Sequence, residues 1–177
     1  MNADYSSNPD PPVAIMPVLT LRFINSRDII SKLITGMTFS LICHTEGMNR
    51  SGDGWIGAHA FTGVQERPLD WCKNLTWERR YDIPVTDEQY EAAMKFLESK
   101  IGTPYNYRSI LGIVIRKRTL TSRDRVDCSD LMLQWLWAAG QEEEVLNVRP
   151  GESWMITPEI LHLSSLLIGK CIYQLQG

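Results

Sequence analysis

Four side chains in this sequence have the types and spacing for nucleophilic chemistry. Cys128 stands in Asp127-Cys128-Ser129-Asp130, directly before an apolar run from Leu131 to Ala139 that ends at Gly140. Apolar residues occupy nearly every face of that run, which predicts a buried helix with Cys128 in its first turn. Unpaired backbone N–H groups and the helix dipole favour negative charge there, the setting that turns a thiol into a nucleophilic thiolate. Such a thiol needs a base within hydrogen-bond reach, and the base needs a third group to orient it. His44 is the candidate base. Glu46, two residues on, points to the same face of a strand. His59 lies on a returning strand, where cross-strand pairing brings it towards His44. Either would serve as orienter, and the residues leave the choice open. Each has an inert reading as well: a buried free cysteine, a satisfied strand histidine, a solvent-facing carboxylate. The third histidine, His162, has no partner visible in the sequence.

The elements that must position these groups read as alternating short strands and helices. Val18 to Phe23 alternates as a first strand, and Asp28 to Thr35 forms a short amphipathic helix that Ser26 is placed to cap. Phe39 to Met48 reads as the strand carrying Cys43, His44 and Glu46. Asn49 to Gly54 is turn chemistry, and Trp55 to Phe61 returns as the second arm of a hairpin. Val64 to Arg67 and a strand ending near Pro84 follow. Thr86 and Gln89 form a capping box for a helix to about Lys100, closed by Gly102. Ile110 to Ile115 is apolar, Glu142 to Glu144 reads as a solvated segment, Pro158 opens a short helix, and Lys170 to Leu175 reads as a last strand.

A chain of 177 residues with 44% apolar and 22% charged content fits one globular domain. Residues 1–14 are expected to be a flexible leader and 15–177 a single domain. The net charge of -3, with Arg116-Lys117-Arg118 the only compact basic cluster, gives no footing for nucleic acid. The four cysteines are widely spaced without a CxxC pair, so a zinc site built on paired cysteines is not expected. Neither a secretory signal nor an apolar run of the ~18 residues needed for a membrane span is visible. A cytoplasmic protein with reduced thiols is the expectation.

Ile101-Gly102-Thr103-Pro104-Tyr105, followed by Asp127-Cys128-Ser129, resembles the nucleophile motif of NlpC-type cell-wall peptidases. There a Gly-x-Pro-Tyr element and a Gly-rich loop precede Asp-Cys-Ser at the start of a buried helix. Cys43-His44-Thr45-Glu46, the turn, and Trp55-Ile56-Gly57-Ala58-His59-Ala60 resemble the family's His strand and orienting strand. The His precedes the Cys here, the order of the circularly permuted papain-like branch that includes the lecithin retinol acyltransferase group. The resemblance spans roughly residues 18 to 165. It implies an α+β permuted papain-like fold, with a small antiparallel sheet packed on the helix bearing Cys128. It implies acyl transfer without metal or organic cofactor: Cys128 attacks, His44 is the base, and Glu46 or His59 orients it. Tyr105 and backbone N–H groups near Cys128 and Ser129 would hold the oxyanion. The implied substrate is an amide of a peptide or peptidoglycan stem. A lipid ester or acyl thioester is the rival within the class, and a binding module that keeps the fold without activity is a different class. The sequence departs from the family at Tyr107-Arg108-Ser109, where Gly-Gly is usual, and at Asp130, which replaces a small residue and puts a carboxylate near the thiol. The short helix before the His strand is similar to that of phage-encoded members, which adds a phage particle as a setting.

Overall fold

A computed structural model describes residues 16–38, 40–107, 124–141 and 156–176. The expected leader, the apolar piece Ile110–Ile115 and the acidic run Glu142–Glu144 lie outside those residues. The elements in chain order are β1 (Val18–Ser26), α1 (Ile29–Thr38), β2 (His44–Met48), β3 (Gly54–His59), β4 (Gly63–Pro68), β5 (Leu75–Pro84), α2 (Asp87–Ser99), α3 (Cys128–Ala138), α4 (Pro158–Ile168) and β6 (Lys170–Gln176). The strands form one antiparallel sheet in the order β4-β3-β2-β1-β5-β6. The protein is α+β, with a larger sheet than the small one the sequence leads one to expect. Among the described residues no helix is long and apolar enough to cross a membrane.

Strand alternation divides the sheet into two unlike faces. Leu19, Leu21 and Phe23 of β1 point to one face with Ile56, Ala58, Tyr81 and Ile83, and all are buried in the apolar core. Helices α2 and α3 cover that face with Met94, Leu97, Leu131, Met132, Trp135 and Leu136. The opposite face carries Arg22, His44, Glu46 and His59. Asp127 fixes the start of α3: its carboxylate accepts the N–H of Asp130 at 2.9 Å, which satisfies one of the helix's orphan donors. At the other end Gly140 takes a left-handed φ of 73° that a side chain would resist. The capping box Thr86/Gln89 is formed in full at the start of α2.

Several boundaries differ from the sequence expectation, each for a local reason. Ser26 is the last residue of β1, and Asp28 instead accepts the Ser31 N–H at 2.8 Å ahead of α1. Strand β2 starts at His44 and not at residue 39. The Ser40 hydroxyl donates to the Ile42 carbonyl at 2.9 Å and accepts the Ile42 N–H at 3.0 Å, bending the chain before the ladder begins. Strand β3 ends at His59, because Phe61 turns back with φ 71°. The helix from Pro158 is longer than expected, running to Ile168.

Gly47 sets how closely α3 approaches β2. A Cβ built there would lie 2.9 Å from two ring carbons of Trp135 and 3.2 Å from Leu97 Cδ2. Both neighbours are fully buried and cannot swing aside. Gly47→Ala is therefore expected to lower stability by about 1–3 kcal/mol. Gly36→Ala, on α1 with nothing within 4 Å, should be neutral or stabilising by up to ~1 kcal/mol. Urea unfolding of both variants checks this, and equal behaviour would contradict the packing argument.

Candidate functional site

Two strands bring the histidines together. The β2–β3 ladder pairs Met48 with Trp55 and Gly47 with Ile56, then stops. Continuing that register sets His44 opposite His59, and their ring centroids lie 4.7 Å apart. Trp71, in the loop after β4, stands edge-on to both rings at 6.0 and 4.9 Å. Glu46 Oε2 lies 3.4 Å from His44 Nε2, within ion-pair range but without hydrogen-bond alignment, so the contact is Coulombic. The closest approach to His44 Nε2 is thus from Glu46, while His59 packs against the ring. Gly57 leaves the room for this cluster: a Cβ there would meet Glu46 Cβ at 2.9 Å and His44 Nε2 at 3.2 Å. A cavity of about 270 Å3 opens beside the cluster, walled by Cys43, His44, His59, Arg67, Trp71 and Tyr105.

Glu46 is fully buried and held from three sides. Arg22 Nη1 donates to Oε1 at 2.6 Å, and Trp71 Nε1 lies 3.1 and 3.2 Å from the two oxygens. The same guanidinium donates through Nε to Glu78 at 2.8 Å, and Arg80 Nε donates to Glu78 at 2.6 Å. Trp55 accepts both guanidiniums over its ring at 5.0 and 5.1 Å. Burial works against the charge of Arg22, yet Glu46 and Glu78 hold its pKa above the ordinary value. Burial would likewise protonate Glu46, but His44, Arg22 and His59 keep its carboxyl below the usual range. His59 lies in the opposite regime. Burial first, then the neighbouring His44, push its pKa down to about 3, so it is neutral near pH 7.

Cys128 belongs to the other face. It lies in the first turn of α3, buried, with its thiol near backbone groups of Thr45 and Ser129 that favour the thiolate. Burial and the carboxylate of Asp127 outweigh them and push the thiol well up. The sequence pointed to Asp130 as the disturbing carboxylate, but the N-cap Asp127 takes that part. Tyr105 is held near this helix start by a bridge to Val126, and its own pKa is raised by burial, then by Cys128 and Asp127. The Ser129 hydroxyl faces the Asp127 carboxylate at 2.9 Å and the Ile156 carbonyl at 2.7 Å, so it ties α3 to the segment before α4.

The structure thus unites His44, Glu46 and His59, and places Cys128 against the residue that follows His44, with Tyr105 near the helix start and also on the wall of the cavity beside His44. His44 Nε2 is turned to Glu46. Arg22, Trp71 and Glu78 escaped sequence reasoning. Arg22 sits at an outward-looking position of β1, where alternation alone reads as solvent, yet it is only 1% exposed. The signal available was a charge on each of three neighbouring strands, and only pairing shows that they meet. Nothing in the sequence marked Trp71 as more than core or pocket wall.

No protein-family model matches the chain, and no curated protein matches it in sequence. Among solved structures the fold is similar to that of YiiX from Escherichia coli O157:H7, which is described as a metalloprotein. The TM-score is 0.51 at 20% identity, over 70% of this chain and 66% of YiiX. At that identity the likeness is one of fold.

The depressed pKa of His59 makes stability pH-dependent. Between pH 6.5 and about 3 the unfolded chain binds a proton at residue 59 that the folded protein refuses. Stability from this group is therefore present above 6.5 and is lost as pH falls, at up to ~1.4 kcal/mol per pH unit. His59→Gln removes that proton, so its urea-unfolding free energy should fall less steeply than the parent's through this window. Parallel curves would show that His59 is not held neutral.

Proposed function

We propose that this protein is a cysteine hydrolase with a permuted papain-like fold, acting by acyl transfer through Cys128 on an amide of a peptide or peptidoglycan stem. The observation that carries the reading is a junction. Cys128, in the first turn of a buried helix, lies against the backbone of Thr45, the neighbour of His44. There β2 and β3 have ceased to pair, and the reading requires an imidazole nitrogen of His44 to reach the sulfur when substrate is bound. Catalytic hydrogen bonds often close only around a substrate, to about 3 Å. The order of the motifs, His44 before Cys128, and the Tyr105 element support the same reading.

The electrostatics define the proton path. Burial and Asp127 keep the resting thiol neutral, so His44 takes the proton from Sγ as sulfur attacks the carbonyl carbon. The C=O electron pair moves onto oxygen, where backbone N–H groups at the start of α3 and the Tyr105 hydroxyl stabilise it. The C–N bond then breaks, the leaving amine takes the proton from His44, and water releases the acyl group from Cys128. Glu46, fixed by Arg22, stabilises the imidazolium in between.

A second reading rests on the same cluster. Ligand atoms of His44, Glu46 and His59 all lie within 4.8 Å of one another, and both Nε2 atoms are buried without a hydrogen-bond partner. Two imidazoles and a carboxylate suit a divalent ion such as zinc, and the fold neighbour is described as a metalloprotein. Such an ion would supply Lewis acidity and an acidified water. Arg22, bonded to Glu46, opposes it by charge.

The first reading predicts an acyl adduct. With activated ester and peptide thioester probes, intact and peptide mass spectrometry should place the adduct at Cys128. Cys128→Ala abolishes it, and His44→Ala slows it by roughly 100-fold or more. Adducts spread over Cys72 and Cys171, or a rate indifferent to His44, would overturn the reading in favour of a binding module. The metal reading predicts one zinc per chain by calorimetry, weakened about tenfold or more in His59→Gln. Binding that is unchanged in this variant would remove it.

A further inference from the structure

A second cavity, of about 580 Å3, lies between α4, the end of the β1–β5 pair and the segment before β2. Its wall combines Trp77, Leu41 and Ile42 with Arg79, His162 and Glu159. Two features set it apart from a packing defect. His162 is buried, and its Nδ1 has no hydrogen-bond partner. Arg79 forms no ion pair among the described residues, its Nε is buried without a partner, and its guanidinium lies over the Trp77 ring at 5.3 Å. Buried polar atoms are ordinarily satisfied, so two orphans on side chains that line one cavity call for a partner.

The hydrogen inventory identifies its chemistry. Tyr81 Oη and His162 Nε2 are 2.8 Å apart. The phenol O–H can be given to Nε2. In that arrangement the proton of the neutral imidazole resides on Nδ1. His162 and the cationic Arg79 both line the cavity, and a carboxylate accepts from a guanidinium and from an imidazole N–H. Trp77, Leu41 and Ile42 provide an apolar wall for the rest of the molecule. Glu159, whose carboxylate accepts the Leu41 N–H at 3.0 Å and the Ser40 hydroxyl at 3.2 Å, adds a negative charge that disfavours a multiply charged anion. We propose that this cavity is a binding site for a small monocarboxylate with an apolar body, held by Arg79 and His162 against Trp77. It is separate from the cavity beside His44 and His59.

Calorimetric titration of the full chain with hexanoate tests this. Saturable binding below about 10 mM is expected, roughly tenfold weaker in Arg79→Gln. Hexylamine, with the same chain and opposite charge, should not bind, and inorganic phosphate should not compete. Leu41→Asp changes a residue that is 78% exposed, so it leaves the core intact and weakens hexanoate by charge repulsion. It keeps the test decisive if Arg79→Gln proves unstable. Arg67→Gln, in the other cavity, should bind as the parent does. Absence of saturable binding, equal binding of hexylamine, or sensitivity to Arg67 in place of Leu41 and Arg79 would overturn the proposal.

Discussion

Arg22 is a guanidinium almost without exposure, set into the middle of a six-stranded sheet, and the site around Glu46 depends on how its charge is met. A buried cation stripped of water is tolerated only when several acceptors surround it. Glu46 and Glu78 come from the strands on either side of β1, so the ion cluster spans β2, β1 and β5 and penalises any slip in their register. A shift by one residue would turn Arg22 into the apolar core and leave both carboxylates without their partner. The cluster also decides the state of Glu46. Held by Arg22 and Trp71, it stays ionised in a dry setting and presents its second oxygen to His44. An imidazole that becomes charged at that position meets a fixed counter-charge.

The alternation of β2 then separates two chemistries that the sequence lists side by side. His44 and Glu46 face the ion cluster, while Thr45 and Gly47 face α3 with its thiol. The absence of a side chain at Gly47 lets the Trp135 ring settle against the strand, and the start of α3 lies by the beginning of β2. The β2–β3 ladder stops short of His44 and His59, and there the two rings form a ligand-like pair.

The unmatched polar atoms of the molecule divide in a way that bears on function. Around His44 and His59, the orphan imidazole nitrogens accompany a carboxylate, a donor set that suits a cation. Around His162 and Arg79, one orphan atom belongs to a guanidinium, whose charge favours an anion. Both sets lie on cavity walls, and both use a tryptophan as the apolar side of the pocket. Polar atoms left open in this arrangement carry a desolvation penalty, which a ligand of the right sign would offset.

Much of the scaffold was determined by the sequence alone. The alternation of Leu19, Leu21 and Phe23, the Thr86/Gln89 box, the Asn49–Gly54 turn and the apolar run after Cys128 each encode their element through local physics: side-chain period, backbone donors, turn conformations. The hairpin that carries His44 and His59 followed from the same signals. Tertiary structure decided what local signals cannot. It chose Asp28 over Ser26 ahead of α1, because only its carboxylate reaches the Ser31 N–H. It buried Arg22, which period alone assigns to solvent, because two carboxylates from non-adjacent stretches meet it across the sheet. It placed Glu46 nearest to His44 Nε2, and it put Cys128 and the histidines on different faces of β2. The reason is common to all four: these outcomes depend on which strand lies beside which, and strand order is a property of the folded sheet that no single stretch of sequence contains.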